Sequence, residues 1–485
     1  MSWFVRWPSV ALVVLLVACS RGNTPAVVGN PPTVQITSHS SGQLVTNGNR
    51  NITVSGTGSG IVTVQVKLNG TALPASAVTS TASSFTASLA LANNSNTIEA
   101  VATNPDGSAS SSVVTVVYPF VTLTSFQRAS VVIGQPDFTG AGFNGLAANT
   151  VQYPVGKALV SNGKLYLPDT SNSRVLVYGS VPTTDGAAAD MVLGQPDFTT
   201  SSFSFPASAV QFYMPGTAAV DSGKLLVGDR DNNRVVIFNS IPTSSGAAAD
   251  VVVGQDDFTT RVIGCAANRL DGPQIFAVNG KLLVADNNRV LVWNAIPTAN
   301  GASADLVLGQ ADFTHCYANQ LGAASAITLR EPTDVWSDGT RLVVADATNS
   351  RVLIWNTFPT SSDAPADVVV GQGGMTSTVF ATTRTGLGRP EFVSSNGNQL
   401  FVADSENNRV LVWNTFPTAN GAGADVVLGQ GDFIHGTEND DNQDGAVDAA
   451  PTARTLYSPR GVAVWGNQLF VTDGGNNRYL VFNGQ

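Results

Sequence analysis

The chain has 485 residues, 43% of them hydrophobic and 12% charged, with 47 glycines and 24 prolines. That is too apolar for a disordered chain and too poor in charge for a coiled coil or helical array. With 34 acidic against 24 basic residues and a formal net charge of -10, it lacks the basic stripe a phosphate backbone requires, so nucleic acid is not an expected partner.

Residues 1–18, MSWFVRWPSVALVVLLVA, set Arg6 ahead of an apolar run from Val10 to Ala18. The run is shorter than the ~20 residues of a membrane-spanning helix, and its layout predicts a secretory signal peptide. It ends Leu16-Val17-Ala18-Cys19-Ser20, which resembles the lipobox of bacterial lipoproteins. The resemblance implies that Cys19 becomes the acylated first residue. With Ser20 in place of Asp, it also implies outer-membrane anchoring in the bacterial cell envelope. The small, polar, proline-containing residues 19–32 read as a flexible tether.

Residues 33–118 carry short alternating runs: Thr33–Thr37, Ile52–Ser55, Val62–Leu68, Phe85–Leu91, Thr97–Ala102 and Val113–Tyr118. In VTVQVKL the residues Val62, Val64, Val66 and Leu68 share one face, the period of a half-buried strand. Asn69-Gly70 after it is a hairpin signal. These runs predict a small β-sandwich. The VKLNG, SSFTASLAL and NSNTIEAVATNPDG segments resemble bacterial Ig-like domains, which implies a spacer or adhesion module. Residues 119–129 read as a linker.

From residue 130 to 485 the sequence repeats. A strand-turn-strand unit recurs six times, from LYLPDTSNSRVLVY to LFVTDGGNNRYLVF, with aspartates Asp169, Asp229, Asp286, Asp346, Asp404 and Asp473. Arginines follow at Arg174, Arg234, Arg289, Arg351, Arg409 and Arg478, five residues later in five copies and three in the third. A proline precedes each aspartate (Pro154, Pro215, Pro273, Pro332, Pro390, Pro459), and another apolar strand ends in Gly-Gln between units. We name the strands a (after the proline), b (ending at Asp), c (starting at Arg) and d (ending at Gly-Gln). The period and four strands per repeat predict an all-β chain: a small Ig-like sandwich, then a six-bladed β-propeller. The first d, Ser130–Gln135, precedes any a, and the last c has no d after it. An N-terminal strand is therefore expected to close the ring and remove its open edges. The b–c core, as in ADSENNRV, resembles NHL repeats.

Residues repeated six times read as structural. The Asp and Arg are expected to pair, within a blade or between blades, and the phenylalanines of Gly-Gln-x-Asp-Phe (Phe138, Phe198, Phe258, Phe313, Phe433) to wedge between blades, with Gly374-Met375 breaking the pattern. The c–d loops are nearly invariant, whereas the d–a loops vary. Variable loops on a rigid scaffold are where binding resides, so the d–a face is the candidate functional face.

Asp440, Asn442, Asp444 and Asp448 fit D-x-[DN]-x-D-G-x-x-D, resembling calcium loops of the EF-hand and dockerin type, although Pro451 stands where a bidentate Glu belongs. The readings are a calcium site or a solvated acidic loop. Cys265 and Cys316, on successive d–a loops, are read as a disulfide or as two free thiols. His315 and His435 lack an evident third metal ligand. Lys157, Asp334, Glu391 and Arg460, just after their prolines, are expected at the channel mouth, holding a small polar ligand or pairing with one another.

No catalytic motif is present. The expected function is a surface-anchored, monomeric, non-catalytic binding or scaffold lipoprotein, recognising a protein or glycan on the d–a face. The competing expectation is an extracytoplasmic lyase or hydrolase with a metal at the axis, since relatives of this propeller type include peptidyl-hydroxyglycine lyases and lactonases.

Overall fold

The computed structural model describes residues 29–46, 50–203 and 205–485. The expected signal peptide and Cys19 lie outside the described residues. The chain divides into two compact units: Thr53–Leu89 and Thr97–Val114 with the residues up to Ser41, and Gly42–Ile52, Ala90–Asn96 and Thr115–Gln485. The second unit thus takes in short segments of the span 33–118.

Between Thr33 and Tyr118 the strands form a four-stranded sheet and a six-stranded sheet. Alternation shapes them: in Ser84–Ala90, Phe85, Ala87 and Leu89 are buried while Thr86 and Ser88 are exposed. Asn69 and Gly70, at φ 51° and 79°, close the hairpin from Thr63–Leu68 to Thr71–Ala72. Val62 departs from expectation. The strand starts at Thr63, which leaves Val62 exposed and buries Ile61.

Six four-stranded antiparallel sheets follow. The first comprises Leu159–Ser161, Lys164–Asp169, Arg174–Tyr178 and Met191–Leu193. The sixth joins Pro459–Trp465, Gln468–Asp473 and Arg478–Asn483 to Val131–Ile133 from the start of the repeat span. The c strands, such as Arg351–Trp355, are buried on both faces. Their continuous apolar sequence is what a sheet covered on both sides requires. Apolar clusters join neighbouring sheets, and one joins Phe470, Tyr479 and Val131 of the sixth to Leu165, Leu167 and Leu176 of the first. Phe138, Phe198, Phe258, Phe313 and Phe433 each pack against such a cluster, and Met375 fills the equivalent place where the repeat departs from the rule.

Each repeated Asp and Arg is buried and paired, with Nε to Oδ2 distances of 2.7 Å for Arg174–Asp169, Arg234–Asp229, Arg351–Asp346 and Arg478–Asp473. Charges withdrawn from water must find hydrogen-bond partners for all their polar atoms, and here the loops supply them. Arg234 donates to the Phe258 carbonyl at 2.7 Å on the outgoing d–a loop, and to Ser208 and Gln211 at 2.7 and 3.0 Å on the incoming one. The other oxygen of Asp229 accepts the Tyr213 N–H at 2.7 Å. Asn232 donates to the same carboxylate as Arg234, at 2.8 Å. In the shortened third copy that asparagine is replaced by a second donor of Arg289, with Nε and Nη2 at 2.9 and 2.8 Å from Asp286. Burial pushes the Asp286 carboxyl up to about 6 against the attraction of Arg289.

In five copies the residue before the arginine has left-handed backbone, as at Asn233, Asn408 and Asn477 with φ of 53°, 50° and 53°; in the shortened third copy it is Asn287, two before Arg289, at φ 50°. Tolerance of that geometry explains only part of the asparagine preference. The side chain also reaches the next sheet: Asn408 accepts the Ser458 N–H at 2.7 Å, and Asn477 accepts the Tyr153 N–H of the first sheet at 2.7 Å.

Each outer edge needs cover, because an unpaired strand invites association. The c–d loops supply it. The central residue of a d strand donates its N–H to the loop of the next sheet, as from Val369 to Asn420 at 2.9 Å and from Val252 to Asn300 at 3.0 Å. The sixth sheet has no c–d loop of its own. The segment 119–129 takes its place, with Ser125 accepting the Val427 N–H at 3.2 Å and Phe126 donating to the Val427 carbonyl at 2.9 Å. A segment that reads as a linker is therefore packed against the fifth sheet, with Val121 and Leu123 buried beside Phe401 and Val412.

Asn408→Gly keeps the left-handed turn and removes the acceptor for Ser458, an expected loss of about 1–3 kcal/mol. Asn408→Ala adds backbone strain and should cost roughly 1–2 kcal/mol more. Urea unfolding midpoints at constant slope check both.

Candidate functional site

Strand a begins at the d–a face, where the d–a loops lead into the sheets and residues of every repeat line one cavity. Each loop carries exposed apolar side chains: Phe143, Phe205, Ile263, Leu321, Phe380 and Ile434 are 51%, 59%, 61%, 79%, 51% and 71% exposed. From Ser130 on, among the described residues, Trp465 is the sole exposed large hydrophobic outside these loops. Phe203 stacks on Tyr213 at 4.2 Å, and the Arg261 guanidinium lies 5.0 Å from the Phe205 ring and 5.1 Å from that of Tyr213. The loops are held from beneath by the buried arginines, so this surface is displayed on a fixed frame.

The four charged residues expected together at the channel mouth are divided by the structure. Lys157 and Asp334 lie inside the channel, 8% and 0% exposed, with Nζ 2.8 Å from Oδ1. Lys157 also donates to the Val335 and Val393 carbonyls at 3.3 and 3.4 Å, and Asp334 accepts the Val393 N–H at 2.9 Å. Burial pushes the Asp334 carboxyl up while Lys157 draws it down. The division follows the offset from the proline: Lys157 and Asp334 stand three and two residues after Pro154 and Pro332, whereas Glu391 and Arg460 follow Pro390 and Pro459 directly.

Glu391 and Arg460 face the d–a side, 3.5 Å apart, and Arg389 bonds Glu391 and Glu331 at 3.2 Å each. The Thr348 hydroxyl, and then Arg389, hold the Glu331 carboxyl below its ordinary value. Glu331, Arg389, Glu391 and Arg460 line a cavity of about 230 Å³ together with Arg230, Asp271 and Gln274. A second cavity, about 280 Å³ and lined by Phe276, Trp336, Phe470 and Trp465, has Lys157 among its lining residues. Sequence reasoning named neither Arg230 nor Asp271. The signal for Arg230 was its place directly after the repeat aspartate, where other copies carry Thr170, Ala347, Ser405 or Gly474.

In the Asp440–Asp448 loop, Asp440 accepts the N–H groups of Asp444 and Gly445 at 3.1 and 2.9 Å, and Asp448 accepts that of Asp441 at 2.7 Å. Asn442 accepts the Asp444 N–H at 2.9 Å, and Asp444 that of Ala446 at 2.9 Å. The calcium expectation rests on spacing alone. Among the described residues no group of three or more His, Cys, Asp or Glu side chains gathers as a metal donor set. Cys265 and Cys316 are joined as a disulfide with Cα atoms 5.7 Å apart. His315 and His435 each lie 2.8 Å from the aspartate three residues earlier, Asp312 and Asp432. Those aspartates cap the turn: Thr314 donates to Asp312 through hydroxyl and backbone, holding its carboxyl at about 2.

Comparison with known proteins fits this architecture. Two of the six repeats match the NHL repeat. The matches span residues 387–413 and 456–482, and the successive four-stranded sheets are those of a repeat β-propeller. No curated protein matches the chain in sequence. Among solved structures, a glutaminyl cyclase from Myxococcus xanthus is similar with a TM-score of 0.30 and 10% identity, over 57% of this chain and 92% of that one. A DUF4784 family protein from Bacteroides caccae gives 0.22 and 9%, over 79% and 93%. Likeness at this level says nothing about chemistry.

Lys157→Met leaves Asp334 buried without its cation and should cost about 3–5 kcal/mol. Adding Asp334→Asn should recover most of that loss, and chemical denaturation of the two variants measures it.

Proposed function

We propose that this chain is a lipid-anchored, non-catalytic binding scaffold of the cell envelope. In this reading an Ig-like sandwich carries a closed six-bladed β-propeller, which recognises a protein or glycan through its d–a loops. The observation that carries the proposal is the distribution of exposed large hydrophobics, which populate all six d–a loops and are otherwise represented after Ser130 by Trp465, among the described residues. Apolar surface gathered on one face marks an interaction site, and aromatic rings with an arginine are the side chains that anchor such contacts. The matches to NHL repeats support a propeller of the interaction-scaffold kind. A metal-dependent lyase or hydrolase would need donors along the axis, where Lys157 and Asp334, and Glu391 and Arg460, are engaged with each other.

The test is a pull-down from envelope extract with the purified full chain, followed by reconstitution with the captured partner. Replacing Phe205, Ile263, Phe380 and Ile434 with serine should weaken binding at least about tenfold, or 1.4 kcal/mol, while Trp465→Ser leaves it unchanged. Equal loss in both variants would count against the d–a face. The anchor is tested separately: palmitate labelling should disappear in Cys19→Ala.

A further inference from the structure

The cavity at the d–a end of the axis has an arrangement of charge that the loop-face proposal does not use. Around the ring, the first sheet contributes Val155 to this cavity, the second Arg230, the third Asp271 and Gln274, the fourth Glu331, the fifth Arg389 and Glu391, and the sixth Arg460. Arg389 is fully engaged, with Nε to Glu391, Nη2 to Glu331 and Nη1 to Thr348, each at 3.2 Å. The two arginines flanking Val155 are not. Arg460 donates through Nε to Ser458 at 3.2 Å, and its Nη1 stands 3.5 Å from Glu391. Arg230 has Asp231 3.6 Å away. Asp271 accepts one amide N–H, from Asn287 at 3.2 Å, and meets no cation within ion-pair distance among the described residues. Gln274, 6% exposed, lies beside it, and its buried Oε1 accepts no hydrogen bond.

We infer that this cavity binds a small zwitterion, a molecule with an ammonium and a carboxylate a few atoms apart, such as a free amino acid or a dipeptide. Arg460 and Arg230 receive the carboxylate over Val155, and Asp271 receives the ammonium. Arg230 and Asp271 belong to adjacent sheets yet do not pair with each other, so each keeps capacity for a ligand. A simple anion would satisfy the arginines and leave Asp271 unpaired beside it. A simple cation would do the reverse. An unpaired group in a half-buried site opposes binding of either one. Size agrees: about 230 Å³ lies below the ~300–1,000 Å³ of sites for drug-sized ligands.

Isothermal titration of the full chain in detergent tests this, with glycylglycine and L-alanine as probes. Sodium acetate and ethylammonium chloride serve as controls at equal ionic strength. The expected result is saturable binding of at least one zwitterion, with acetate and ethylammonium each at least about tenfold weaker. Asp271→Asn and Arg460→Gln should each weaken it about tenfold with the unfolding midpoint unchanged, and either variant suffices if the other does not fold. The serine-substituted loop variant should bind the zwitterion normally, so this inference and the loop-face proposal fail separately. No saturable heat with either probe, acetate binding as tightly as the zwitterions, or affinity unmoved by the folded variants would each overturn the inference.

Discussion

A guanidinium taken out of water loses hydration worth several kcal/mol unless each of its donors meets an acceptor. In this protein every repeat buries one such group completely, and its acceptors are an aspartate and the carbonyls of two loops. The aspartate in turn takes an N–H from the incoming loop and an asparagine amide. Neither charge can be buried until the loops are in place, and buried apolar side chains such as Phe212, Leu270 and Leu329 anchor the same loops in the core. The pair therefore couples strand pairing inside a sheet to the shape of the surface above it. Gln195 extends the coupling, bonding the carbonyl of Ser173 before the arginine at 2.9 Å, and the other repeat glutamines bond the residue before their arginines in the same way.

The same bonds make the ends of the repeat span meet. Arg478 donates to the carbonyl of Phe138, and Gln135 bonds the Asn477 carbonyl at 2.9 Å. Asn477 then reaches Tyr153 in the first sheet. The seam thus uses the repeat's own hydrogen bonds, with the N-terminal strand standing where a sixth d would be. Its one missing part is a c–d loop, and residues 119–129 supply that part. The segment leading into the repeats is consequently fixed to the fifth sheet, where Gln399 brackets Val121 with bonds of 2.7 and 3.0 Å.

A scaffold that pins its loops from below frees their outward side chains from structural duty. That is why apolar residues can stand exposed at Phe205, Leu321 and Ile434 without a folding role, and why the d–a loops differ in sequence while the c–d loops do not. The axis follows a different logic. At its centre Lys157 and Asp334 neutralise each other and separate an apolar cavity from a polar one. At its d–a end the charges are only partly matched, which leaves donors and an acceptor for a ligand.

The sequence by itself determined the repeat, the strand content, the involvement of each Asp and Arg in a structural ion pair and the place of the phenylalanines, because each is a local pattern reinforced from copy to copy. It also marked the orphan first d strand, since a closed sheet needs four members. What it did not determine was the polar contacts that one copy makes with another. The second asparagine of the Asn-Asn-Arg turn read as a turn residue, yet it is also an acceptor for the next sheet. Residues 119–129 read as a linker because no repeat marks them. Lys157, Asp334, Glu391 and Arg460 all read as residues just after a proline, but Lys157 and Asp334 stand three and two residues after theirs and lie inside the channel, whereas Glu391 and Arg460 follow theirs directly and face the d–a side. Arg230 and Asp271 come from a turn and a loop that only the ring brings to the axis. Local periodicity fixes which residues are buried within a sheet; the neighbours across the ring are set by tertiary packing, and the charges at the axis belong to that second level.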